Sequence, residues 1–96
     1  MLLSMSHHNG RLEKTFERAE LYMVALISQT PRDNAARQFA YNNRHSEHFQ
    51  VAEILSRAAG ELSEVMESFI PDKRLLDLHA SMLAQVKAQL RMFEDE

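Results

Sequence analysis

The chain of 96 residues contains no cysteine, only two glycines and only two prolines. The absence of cysteine excludes disulfides and thiolate metal sites as sources of stability. So few glycines and prolines leave little turn chemistry, and no segment alternates between apolar and polar residues as a strand does. Helix-forming residues dominate instead, so the sequence predicts an all-α fold.

An excess of positive charge and long apolar runs are also missing. The formal net charge is −3 with both signs interspersed, which is unlike the basic surface of a nucleic-acid-binding domain. No apolar run approaches the roughly 20 residues that span a bilayer. The N-terminus lacks the basic and apolar regions of a signal peptide. We therefore expect a cytoplasmic protein without a cofactor, bound to neither nucleic acid nor membrane.

The first turn signal divides the chain into a short leader and one domain. Asn9-Gly10 is a dipeptide typical of turns. We predict a flexible leader over residues 1–10 and a single helical domain over residues 11–96. Apolar side chains at helical spacing then predict a first helix over about residues 11–29.

The second helix has a clear start and an unsettled middle. Thr30 as N-cap, Pro31 at the first helical position and Asp33 near the positive end form a capping pattern. A helix over residues 31–70 would be roughly 60 Å long. Two possibilities stay open: it breaks near residues 42–45, giving four helices, or it continues and a dimer partner covers it. We favour a continuous or merely kinked helix because no glycine or proline forces a stop.

A regular apolar seam marks the second half of this segment. Spacings of four and three alternate along it, as in a helix that packs against another helix. Ile54, Ala59 and Met66 widen the seam. The pattern predicts an amphipathic helix whose buried stripe faces the last helix in an antiparallel hairpin. The seam residues are Val51, Leu55, Ala58, Leu62, Val65 and Phe69.

The last helix carries more apolar surface than one neighbour can cover. Pro71 separates it from the preceding helix, and it is predicted over about residues 72–94. Its apolar arc spans roughly 160°, whereas a peripheral helix needs nearer 100°. We interpret the excess as a face for self-association or for another protein, or as one buried inside a four-helix arrangement. That face comprises Leu75, Leu76, Leu78, Met82, Leu83, Val86, Leu90 and Phe93.

Three histidines are the first candidates for chemistry. His45 and His48 are three residues apart, so they could share one helical face as metal ligands. His79 lies within the apolar arc of the last helix. A hairpin turning at Pro71 would place His79 opposite Ser63, which argues against one three-histidine site, and we predict no metal site.

The carboxylates carry the only family resemblance. The segment Gly60-Glu61-Leu62-Ser63-Glu64 resembles the Gly-Glu-Leu-Ala-Glu segment of the all-helical MazG-type nucleotide pyrophosphohydrolases. The resemblance implies magnesium held by carboxylates of two neighbouring helices, with Glu61 as a ligand. Arg57 and Ala58 stand where that family carries two acidic residues, and the last helix offers only Asp77 and His79 opposite them.

The expected function follows from the fold. We predict a bundle of three or four antiparallel helices, completed as a homodimer, that acts as a non-catalytic protein–protein interaction module such as an adaptor, small chaperone or regulator. One alternative is a degenerate relative of the MazG-type pyrophosphohydrolases. A DNA-binding regulator is the third hypothesis, for which Arg37 and Arg44 offer only a small basic stripe.

Overall fold

The computed structural model describes the backbone of residues 2–96 and the side chains of residues 15–96. No strand occurs among these residues, which confirms the predicted all-α class. The backbone helix begins earlier than the predicted residue 11, and the predicted flexible leader over residues 1–10 lies outside the residues whose side chains are described. The four helices are α1 (Leu2–Ile27), α2 (Asn34–Asn42), α3 (Glu47–Met66) and α4 (Lys73–Glu94).

The helices alternate in direction along the chain. α2 folds back along α1, α3 runs parallel to α1, and α4 returns antiparallel to α3 while also packing on α1. The three long helices form the body of a bundle 55 Å long and 27 by 20 Å across, with the short α2 on the side of α1. The predicted antiparallel hairpin of the last two long helices is confirmed.

The end of α1 shows why a new helix starts a few residues later. Gln29 adopts a left-handed backbone with a φ of 56°. The Thr30 N–H donates to the Ala25 carbonyl at 2.9 Å and the Gln29 N–H to that of Leu26 at 3.2 Å, a Schellman ending. The predicted N-cap at Thr30 is wrong: Asp33 caps α2, and its side chain accepts from the Ala36 N–H at 2.8 Å. A carboxylate suits this position because it is near the positive helix end.

The segment predicted as one helix over residues 31–70 is broken, so our preference for a continuous helix is wrong. The Asn43 side chain donates to the Phe39 carbonyl at 2.8 Å at the end of α2. Ser46 then caps α3, accepting from the Phe49 N–H at 3.1 Å. Short polar side chains that bond to the nearby backbone compete with helix continuation, so no glycine or proline is needed for the break.

Phe49 is the centre of the hydrophobic core. Its ring stacks on Tyr22 with centroids 5.5 Å apart, meets the Phe39 ring edge-on at 5.8 Å and lies 5.4 Å from Phe93. These contacts join all four helices. Aromatic clusters of this kind combine a large buried area with preferred ring geometry.

The buried stripe of α3 consists mainly of small residues, and Ala59 is the one of them that belonged to the predicted seam. Ala52, Ser56, Ala59 and Gly60 are buried together with Phe49. A Cβ atom on Gly60 would lie 2.8 Å from the carbonyl oxygen of Ile27 and 2.9 Å from that of Leu26, so α1 and α3 approach closely there. The predicted burial of the seam is confirmed at Ala59 and in part at Leu55, which packs against the core, and is wrong towards the end of the helix. Val51, Leu55, Ala58 and Leu62 are only half-buried, while Val65 and Phe69 are exposed.

Candidate functional site

The predicted contact face of α4 divides into two parts. Val86, Leu90 and Phe93 are buried in the core of the chain itself. Leu75 and Met82 are half-buried. The remaining three side chains are exposed, namely Leu76, Leu78 and Leu83. Much of the wide apolar arc of α4 is therefore buried within the chain itself, because α4 packs on both α1 and α3. Leu83 is 37% exposed and is no core residue.

The candidate histidines link helices and do not converge. His48 Nδ1 lies 2.8 Å from the Gln89 Oε1, and His79 Nε2 lies 3.1 Å from the Ala59 carbonyl oxygen. His45 is exposed. The predicted opposition of His79 and Ser63 is wrong by one helical turn, because the hairpin loop is centred before Pro71.

The carboxylates do not form a metal centre in the described part of the chain. Glu53 accepts a hydrogen bond from the Tyr22 hydroxyl at 2.7 Å, and Glu61 and Glu64 are exposed. No group of three histidine, aspartate or glutamate side chains is placed to hold a metal ion among residues 15–96. The close approach of α1 accounts for the glycine at residue 60 without a metal.

The acid–base equilibrium of Tyr22 is shifted by its surroundings. Burial raises the pKa of its phenol above the ordinary value of 10.0, and the hydrogen bond to Glu53 adds to the rise. The guanidinium groups of Arg32 and Arg57 act weakly in the opposite direction. Tyr22 therefore stays neutral and links α1 to α3.

Sequence reasoning missed a groove between α1 and α2. It has a volume of about 460 Å³ and is lined by apolar atoms of Leu21, Tyr22 and Phe39, with Arg18 and Arg32 at its edges. The groove exists because α2 folds back on α1 after the Schellman ending. Since we expected one continuous helix from Pro31, no pattern in the sequence predicted it.

An apolar surface left partly open runs along the hairpin of α3 and α4. On α3, Glu53 and Gly60 face α1. At 100° per residue, a stripe of six apolar side chains lies about half a turn away from these two. We call this set the outer stripe: Val51, Ile54, Leu55, Ala58, Leu62 and Val65.

Several side chains on this side of the hairpin are strongly exposed. Ile54 is 68% exposed and Val65 57%, both within the outer stripe. Leu78 and Met92 of α4 are each about half exposed, and both lie away from Leu83, which borders α1. The outer stripe is nearly the seam that the sequence identified, so the pattern located an apolar face correctly, but this face is only half-buried at four of its six residues and exposed at Ile54 and Val65.

No family model matches the chain, and no match was found among curated proteins or solved structures. Within the described part of the chain, no helix is long and apolar enough to cross a membrane. The class that the structure defines is a four-helix α bundle with an open apolar face on its last hairpin.

Proposed function

We propose that this chain is a non-catalytic protein–protein interaction module that self-associates through the apolar outer face of the α3–α4 hairpin. The observation that carries the proposal is the exposure of Ile54, Val65, Leu78 and Met92 on the side of the hairpin away from α1. Contiguous exposed apolar side chains of this kind mark interaction sites in soluble proteins.

The size of the chain supports the same proposal. A domain of 96 residues buries only about two-thirds of the surface of its unfolded chain. In this bundle α1 covers one side of the hairpin and α2 covers part of α1, so no further helix of the described residues lies on the opposite side of the hairpin. Association would remove that apolar area from water at roughly 25 cal/mol per Å².

Mass measurement on two matched variants tests the proposal. Ile54→Asp puts a charge on the outer face, whereas Leu21→Asp puts the same charge on α1 at a side chain 70% exposed, close to the 68% of Ile54. We expect wild type and Leu21→Asp to be dimeric by sedimentation equilibrium, and Ile54→Asp to be monomeric with an unchanged helical circular dichroism spectrum.

Two results would contradict the proposal. A wild-type protein that stays monomeric at high concentration would remove self-association. If Leu21→Asp dissociated and Ile54→Asp remained dimeric, the interface would be on the α1 side, near the groove lined by Phe39.

A further inference from the structure

We propose that the groove between α1 and α2 binds a small aliphatic carboxylate whose acid group pairs with Arg32. The groove is lined by residues of α1, α2 and the loop between them, none of which belongs to the outer stripe. The proposal is therefore independent of the proposed function. It rests on an apolar lining that would contact the aliphatic chain, and on a guanidinium group that pairs with no described carboxylate.

Apolar side chains form most of the groove. Of those that line it, Tyr22 is buried, Phe39 is half-buried and Leu21 is 70% exposed. Ala25 of α1 and Ala36 of α2 also line it, and their short side chains leave the space between the two helices open. An aliphatic chain in this space would remove apolar surface of these residues from water, which is favourable.

Arg32 supplies a positive charge at the edge of the groove. Its side chain is half-buried, and the guanidinium carbon lies 5.8 Å from the centroid of the Tyr22 ring. Within the described part of the chain the one ion pair is Lys73 with Asp77, and Arg32 donates no hydrogen bond there. Glu53 accepts the hydroxyl of Tyr22 instead. Because a guanidinium presents a planar fork of N–H donors that matches a carboxylate, the edge of the groove suits an acid group.

The charges around Arg32 favour an anion. Asp33 is the one carboxylate among the described lining residues of the groove, and its side chain already accepts a backbone N–H in the first turn of α2. Arg18 lines the groove as well, and Arg32 also lines an adjoining cavity of about 320 Å³ together with Arg57 and Glu61. Three guanidinium groups and two carboxylates thus line the two cavities, in a chain whose formal net charge is −3.

The size of the groove suits a small molecule better than a protein. The helix α2 has 9 residues, which gives the groove a wall about 14 Å long at 1.5 Å per residue. A stable protein interface needs about 800 Å² on each partner, far more than a strip of this length offers. The volume of about 460 Å³ is typical of ligand pockets. A chain of about eight carbons, with roughly the 30 Å³ of a water molecule for each carbon group, would fill about half of it.

Titration with octanoate and with octanol, followed by the amide signals in nuclear magnetic resonance, tests the proposal. The two probes have chains of equal length and differ in the acid group. We expect wild type to bind octanoate roughly tenfold more tightly than octanol, because a hydrogen bond to a charged group adds to the apolar contact. The largest shifts should be those of Ala25 and Ala36.

Replacement of single arginines separates charge from packing. Arg32→Gln should weaken octanoate binding roughly tenfold and leave octanol binding within about twofold of wild type, since only the acid group contacts Arg32. The control is Arg37→Gln, at an exposed residue of α2 outside the groove lining, which should change neither affinity. Circular dichroism checks that both variants keep the helical content of wild type.

Two aspartate variants distinguish ligand binding from self-association. Leu21→Asp puts a carboxylate into the groove and should weaken the binding of both probes, that of octanoate more strongly because like charges repel. Ile54→Asp lies on the outer stripe and should bind both probes as wild type does.

The remaining outcomes overturn the proposal. Equal affinities for octanoate and octanol, or an Arg32→Gln variant that binds octanoate as wild type does, would show that Arg32 does not bind the acid group. Shifts confined to the α3–α4 hairpin, or no binding of octanoate, would show that the groove is not the site. None of these results bears on the dimer, which the mass measurement on Ile54→Asp tests separately. Dissociation of the dimer in Leu21→Asp would mean that a second copy covers the groove, and would remove both proposals.

Discussion

Two buried hydroxyl groups, one on α1 and one on α3, differ in whether they have a hydrogen-bond partner. The Tyr22 hydroxyl donates to Glu53, whereas the hydroxyl of the fully buried Ser56 has no hydrogen-bond partner among the described residues. An unpaired buried hydroxyl costs about 1–3 kcal/mol. The packing around this fully buried side chain must offset that cost, because the helix forms around it.

Because of Tyr22, the free energy of unfolding changes with pH in the alkaline range. The folded-state pKa of its phenol is raised above the unfolded value of 10.0, so the unfolded chain ionises first. The stabilising contribution is complete below about pH 10 and is lost as the pH rises through the folded-state pKa. We expect the free energy of unfolding of wild type to fall more steeply above about pH 10 than that of Tyr22→Phe.

Urea titrations at a series of pH values measure this difference. Tyr41 is present in both proteins, so its ionisation cancels in the comparison. Near neutral pH the Tyr22→Phe variant should be less stable by about 1 kcal/mol, since Glu53 loses its donor. Parallel pH profiles for the two proteins would contradict the inferred burial of the phenol.

At the scale of the elements, local sequence predicts where a helix begins and ends better than it predicts which helices pack together. Pro71 and Asp72 placed the start of α4 within one residue, because capping is local: Asp72 accepts from the Leu75 N–H at 3.1 Å. The break before α3 depends on Asn43 and Ser46. Both residues are plain in the sequence, but we gave more weight to the absence of glycine and proline and therefore favoured an unbroken helix. The hydrogen-bonding side chains near each helix end are thus sufficient to predict where these helices begin and end.

Burial could not be predicted from the same signals. Hydropathy periodicity identifies an apolar stripe on α3 but cannot say whether it faces the chain or its surroundings. The true core stripe contains Ala52, Ser56 and Gly60, whose small side chains give little hydropathy signal. At Gly60 the missing side chain lets the backbones of α1 and α3 approach, and that requirement depends on tertiary geometry alone. On α1, by contrast, Ala19, Tyr22 and Met23 recur at helical spacing and are all buried, so periodicity there does identify the core side.

The contact of α1 with α3 predicts whether replacing Gly60 raises or lowers the free energy of unfolding. Alanine is normally better than glycine within a helix by about 1 kcal/mol. At residue 60 its Cβ would lie 2.8 Å from the backbone oxygen of Ile27, which cannot move without shifting α1. We therefore expect Gly60→Ala to lower the free energy of unfolding by about 1–3 kcal/mol, the usual range for overpacking.

Denaturation in urea followed by circular dichroism measures the effect of Gly60→Ala. The control is Ala80→Gly at an exposed position of α4, which should cost about 1 kcal/mol through helix propensity alone. A Gly60→Ala variant more stable than wild type would mean that α1 and α3 do not approach as closely as described.

For the whole molecule, one surface determines what the bundle can do. The core around Phe49 joins all four helices, and Leu55 packs against it, yet Ile54 and Val65 of the outer stripe remain exposed. A three-helix body with a short fourth helix on one side leaves the opposite side free for a partner. The fold therefore provides a rigid hairpin whose contacts with α1 hold the outer stripe in place.

Dimerisation through this face would couple stability to concentration. A ligand or partner that binds only the folded state raises the melting temperature in proportion to the logarithm of its concentration. We expect the melting temperature of wild type to rise over a hundredfold increase in protein concentration, and that of Leu21→Asp to rise equally. The melting temperature of Ile54→Asp should not change with concentration, because the charged side chain would be buried unpaired in the dimer. A wild-type melting temperature constant over that range would contradict association of the folded chain, and a concentration dependence retained in Ile54→Asp would place the interface elsewhere.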